Sequence, residues 1–66
     1  MKRYVAELRN DIEKKLEKNY KAGYFTVEIY NIAFREIENT FLECDKGYIT
    51  ALEAAEIMIE VYKCIK

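Results

Sequence analysis

Gly23-Tyr24-Phe25-Thr26 recurs as Gly47-Tyr48-Ile49-Thr50, 24 positions later in a chain of 66 residues. No other feature limits the fold so tightly, because each residue type suits a place where one helix ends and the next begins. Glycine takes the left-handed backbone conformation that closes a helix C-terminus. Threonine three positions on can accept hydrogen bonds from the first free amides of the following helix. The apolar residue just before it can pack on the fourth helical residue, Phe25 on Tyr30 and Ile49 on Ala54. Glu53 follows Thr50 at the spacing of a reciprocal capping box, whereas the matching place after Thr26 holds Ile29. The tetrads therefore predict helices near 2–22, 27–45 and 51–65, joined by short turns that favour antiparallel neighbours. Two units are too few for a stacked solenoid, so the repeat reads as two similar joints.

The apolar spacing agrees. Val5, Leu8, Ile12 and Leu16 form one row on the first helix, with Tyr4 and Tyr20 at its edges. The opposite side is charged, and there Glu17 stands four residues before Lys21. The second helix repeats at three and four residues through Val27, Tyr30, Phe34, Ile37, Phe41 and Cys44. The third carries Ala51, Ala55, Met58, Tyr62 and Ile65. All three follow the helical period and none alternates like a strand. The expected fold class is all-α: a small three-helix bundle with short antiparallel connections, one domain over residues 1–66.

Several apolar residues fall outside these rows. Ile32 stands across the second helix from its row, among Glu28, Arg35, Glu36 and Asn39, with Ile29 and Leu42 near the edges of that polar face. In the third helix Glu53, Glu56, Glu60 and Lys63 occupy one stripe. Leu52 and Ile59 are left on one flank, and Ile57, Val61 and Cys64 on the other. A soluble amphipathic helix needs an apolar arc only somewhat wider than ~100°. Ordering each residue costs roughly 1.5 kcal/mol, which the core of so short a chain barely offsets. Ile29, Ile32, Leu42, Leu52, Ile57, Ile59 and Val61 are therefore the candidate interface. The bundle is expected to be completed by oligomerisation, a dimer first, or by a protein partner.

Composition removes most chemistry. Eight Lys and three Arg stand against ten Glu and two Asp, and the chain contains no His, Ser, Gln, Pro or Trp. Without histidine or serine, Ser-His, Cys-His and His-metal sites are excluded. The acidic rows Glu36–Asn39–Glu43 and Glu53–Glu56–Glu60 would need an enclosed pocket to act as paired catalytic carboxylates. Three short helices leave little volume for one. A non-enzymatic protein without cofactor or metal is expected. Cys44 and Cys64 would lie roughly 20 Å apart along a hairpin of the last two helices, beyond the ~7 Å reach of a disulfide. Both are expected as buried free thiols, and two cysteines alone make a poor zinc site. Free thiols, the lack of a signal-peptide pattern and the lack of an ~18-residue apolar run point to a cytoplasmic protein with no membrane contact. Residues with AT-rich codons (Phe, Tyr, Met, Ile, Asn, Lys) number 31, against 11 Gly, Ala, Arg and Pro. This bias suggests an AT-rich genome, possible for a phage or mobile element.

Charge is uneven: residues 1–22 carry +3 and residues 23–66 carry −4. Within a bundle the first helix would complement the other two. Arg3, Arg9, Lys14 and Lys18 also form a candidate basic face for nucleic acid, whose binding requires clustered cations to displace counterions. In a helix-turn-helix a later helix enters the major groove, but here the third helix would present Glu53, Glu56 and Glu60 to phosphates. Nucleic acid is the second reading.

Two family resemblances bear on the joints. Gly47, Ile49 and Glu53 have the spacing of the glycine, the hydrophobic residue and the closing glutamate of an EF-hand calcium loop, and this segment resembles its second half. The places where that family carries its first oxygen ligands hold Leu42, Cys44 and Lys46, so no calcium is expected and helix capping accounts for the spacing. Residues 16–37, with Gly23, Thr26, Glu28 and Tyr30, resemble the helical hairpin of the SHOCT domain and its G-x-x-T-x-E-x-[FY] pattern. Val27 and Ile29 stand where that pattern favours acids. The resemblance covers about a third of the chain and implies a small module that mediates interactions, with no site residue carried over. The expected function is a small non-enzymatic helical interaction module, self-associating and binding another protein as a regulator or inhibitor.

Overall fold

Both tetrads close and reopen helices as their residue types require. Gly23 and Gly47 have φ of 87° and 84°. The Tyr24 amide donates to the Asn19 carbonyl at 3.1 Å and the Gly23 amide to Tyr20 at 3.0 Å; Tyr48 donates to Glu43 at 2.9 Å and Gly47 to Cys44 at 3.1 Å. These paired bonds satisfy carbonyls that a helix end leaves free. Thr26 Oγ1 then accepts from the Ile29 amide at 3.3 Å. At the second joint the box is complete, with the Glu53 amide donating to Thr50 Oγ1 at 3.1 Å and the Thr50 amide to Glu53 Oε1 at 3.0 Å. That commitment of the Glu53 carboxylate accounts for the calcium-loop-like spacing around Gly47.

The computed structural model describes residues 3–65; Lys2, placed in the first helix by the sequence, and the side chain of Ile65 lie outside that description. Three helices result, α1 Arg3–Lys21, α2 Val27–Asp45 and α3 Ala51–Ile65, with bounds near those expected. They pack together as an all-α three-helix bundle, 35 Å along its longest axis. The core consists of Val5, Ile12 and Leu16 from α1, Ala33 and Ile37 from α2, and Ala54 and Met58 from α3. Phe25 and Ile49, the apolar residues that precede the caps, pack against it together with Tyr30 and Leu8.

On α2 and α3 the buried rows are turned relative to the sequence reading. Ala33 and Thr40 are buried beside Ile37, whereas Val27 and Phe34 are exposed. On α3 the buried pair is Ala54 and Met58, with Ala51 and Tyr62 at the side. The physical reason is that α2 has a neighbour on each side. Its small residues face the line between them, where helices approach closely, and its bulky rings fill the seams. Thr40 meets burial by donating its hydroxyl to the Glu36 carbonyl at 2.8 Å, the internal bond open to a helical threonine.

The α1–α2 seam is aromatic and charged. Tyr20 stacks on Tyr30 with ring centres 5.0 Å apart, and Tyr30 meets Phe34 at 6.0 Å. Arg9 lies over the Phe41 ring at 4.1 Å and reaches Glu38 at 3.7 Å. Between α1 and α3, Asn19 Nδ2 donates to the Tyr62 hydroxyl at 3.4 Å. These contacts place α1 on one side of the α2–α3 hairpin and leave the other side uncovered.

Candidate functional site

The uncovered side is an apolar groove. The joint at Gly47 turns α3 back along α2, so the first turns of α2 lie beside the last turns of α3. Spacings of three and four residues then set two rows against each other, Ile29, Ile32 and Glu36 on α2 and Ile57, Val61 and Cys64 on α3. Ala33 forms the floor, and Tyr24 and Phe25 of the first joint close one end. The space is about 1070 Å³ and open to solvent. Glu36, Glu56 and Glu60 are the charged residues that line it among those described, and no α1 residue does so.

This geometry sorts the seven candidate interface residues. Ile29, Ile32, Ile57 and Val61 come together in the groove. Ile32 is 59% exposed, while Val61 is half-buried and packs against the core as well. Leu42, Leu52 and Ile59 are exposed but belong elsewhere; Leu52, at 64%, shares the other flank of α3 with Ile59. Sequence reasoning missed Tyr24, Phe25 and the acidic rim. The recurrence of tyrosine after each glycine was the available signal, since both Tyr24 and Tyr48 are exposed, at 75% and 73%. The thiols differ from expectation. Cys44 is half-buried against the core, but Cys64 is exposed at the groove, because the last turn of α3 has no helix over that flank.

The four residues of the basic face do not stay together. Arg3 is exposed and pairs with Glu7 at 3.3 Å. Lys14 and Lys18 share an exposed surface with Lys21 and Glu17. The Glu17 carboxylate, 3.0 Å from Lys21 Nζ, raises the Lys21 pKa by hydrogen bonding and charge. Arg9 instead turns into the α1–α2 seam, drawn there by Phe41 and two carboxylates. Its Nε is buried without a hydrogen-bond partner among the described residues, as is Oε2 of Glu13, whose other oxygen lies 4.0 Å from Arg9. Burial, and then the nearby Glu38 carboxylate, push the Glu13 pKa up to about 7 against the pull of Arg9.

No group of three cysteine or acidic side chains among the described residues could hold a metal ion. No helix among them is long and apolar enough to cross a membrane. What the groove can do is exclude water from an apolar surface laid against it. Compared with protein families, curated proteins and solved structures, the chain matches none of them.

Proposed function

We propose that this chain is a small non-enzymatic interaction module that works by helix contacts with other protein chains, as a regulator or inhibitor of a partner and through self-association. The observation that carries this reading is the convergence of Ile29, Ile32, Ile57 and Val61 in one solvent-open groove. Isolated surface aliphatics are ordinary, but apolar side chains gathered from two helices into one concavity form a surface that gains by being covered. The SHOCT-like character of residues 16–37 agrees with such a role. Self-association fits the other flank of α3, where Leu52 and Ile59 are exposed and helical spacing places Lys63 and Glu56 beside them. A face with both signs of charge can meet its own copy without collecting like charge.

Light scattering at micromolar concentration tests self-association. The expected mass exceeds the 7.9 kDa of one chain and falls to it in Ile59→Glu, with the helical circular dichroism unchanged. A wild-type chain at monomer mass would end the self-association part of the reading. A nucleic-acid role draws on Lys14, Lys18 and Lys21. It is the weaker reading, because Arg9 is turned inward and Glu17 is already paired with Lys21. Salt-sensitive retention of DNA that is lost in Lys14→Glu/Lys18→Glu would reverse that ranking.

A further inference from the structure

Resting on the interaction-module reading, we propose that the α2–α3 groove receives a basic amphipathic helix of another protein, and not a second copy of this chain. The length fits a helix. Residues 29–36 on one wall and 57–64 on the other each run about 10 Å, at ~1.5 Å per residue. That length takes a row of apolar anchors at i, i+3 or i+4, and i+7, the usual contact of a helix laid in a groove.

The architecture leaves a place for it. The side chains that meet α1 include Tyr30, Glu38 and Phe41 on α2 and Tyr62 on α3, whereas the groove uses Ile29, Ile32 and Glu36 with Ile57 and Val61. The hairpin therefore has two separate sides. A helix in the groove would mirror α1 and complete a four-helix arrangement at ordinary helix separations.

Charge selects the occupant. Carboxylates stand on both walls, Glu36 on one and Glu56 and Glu60 on the other, with no Lys or Arg lining the groove among the described residues. Lysine or arginine flanking the apolar row of a docked helix would meet them, and an acidic helix would be repelled. A twofold pairing of two copies through this face would gather both sets of three carboxylates, with no Lys or Arg among the described residues that line either groove. An offset pairing that seated the outer face of α1 would bring exposed Glu7, Asp11, Lys14, Glu17 and Lys18 and no apolar row. One that seated the flank of α3 with Leu52 and Ile59 would set Lys63, with Glu56 beside it, against three carboxylates.

The test titrates the full chain with two labelled synthetic helical peptides that share one leucine row, flanked in one by lysines and in the other by glutamates. The lysine peptide is expected to bind in the micromolar range, weaken with added salt, and protect Cys64 from a thiol reagent. The glutamate peptide is expected to bind at least about tenfold more weakly. Glu56→Lys/Glu60→Lys should reverse the preference, and Ile32→Glu should abolish binding of the lysine peptide while the circular dichroism stays native. Equal binding of both peptides, or a preference untouched by the Glu56 and Glu60 changes, overturns the assignment of a basic partner and leaves the groove as an interaction site. Loss of self-association in Ile32→Glu would make a second copy the occupant, again overturning the proposal but not the module reading. A chain that binds neither peptide and stays at monomer mass overturns both.

Discussion

Arg9 and Glu13 illustrate how one residue's position can be misread from its type. Both look like members of a solvated face of α1, yet Arg9 lies over Phe41 and Glu13 is drawn into the same seam near Glu38. A guanidinium can do this because it stacks on an aromatic ring while keeping its edge for carboxylates. Glu13 bears the cost. Its folded-state pKa of about 7 stands above the ordinary 4.5. A proton held more tightly when folded stabilises the fold, fully below about pH 4.5, and this contribution is lost as pH rises through about 7. Glu13→Gln, which keeps the shape without the charge, should therefore leave thermal stability at pH 5 little changed. At pH 8 it should raise the melting temperature by a few degrees, where ~1 kcal/mol moves a domain of this size by about 4–8 °C. Melting curves at the two pH values check it. Equal shifts at both would mean that Glu13 is solvated.

At the scale of elements, the sequence was most legible where the chemistry is local. Helix ends were readable because glycine and threonine act on amides and carbonyls a few residues away, and those bonds are all formed at both joints. The rotation of α2 was not readable. Spacing sets the period of an apolar row, but α2 has candidates on both sides of Ile37, Phe34 on one and Ile29 and Ile32 on the other. Which side turns inward depends on where α1 and α3 sit, and the small residues Ala33 and Thr40 mark that direction only after packing is known. The groove was half legible for the same reason. Ile32 and Ile57 stood out as surplus, but their convergence, and the separation of Leu52 and Ile59 from them, are tertiary facts. The two caps differ in a way that can be measured. Thr50 takes part in a reciprocal box, whereas Thr26 receives a single bond. Thr50→Ala should cost about 1–2 kcal/mol, the upper part of the usual range for cap removal, and Thr26→Ala nearer 0.5–1 kcal/mol. Urea denaturation of the two variants decides this, and a larger loss in Thr26→Ala would show that Phe25 and the joint matter more than the box.

For the whole molecule the governing quantity is how little stability 66 residues can hold. At roughly 0.05–0.15 kcal/mol per residue the margin is on the order of 3–10 kcal/mol. Ile37 is fully buried in the core cluster to which all three helices contribute, whereas Ile32, five residues earlier, is largely in water. Truncating the first removes transfer energy and leaves a cavity, about 2–5 kcal/mol; truncating the second should stay within about 0.5 kcal/mol. Ile37→Ala is thus expected to bring the free chain close to its unfolding midpoint at physiological temperature, and Ile32→Ala to melt like the wild type. A partner that binds only the folded chain adds stability by mass action, about 2.7 kcal/mol at a hundredfold excess over its Kd. A basic helical peptide should therefore restore cooperative melting to Ile37→Ala, whose groove residues are intact, and do nothing for an Ile37→Ala/Ile32→Glu chain. Calorimetry with and without the peptide distinguishes the two. Equal rescue of both would mean that stabilisation comes from contacts outside the groove, and the exposed isoleucines of α2 and α3 would then be surface without a binding role.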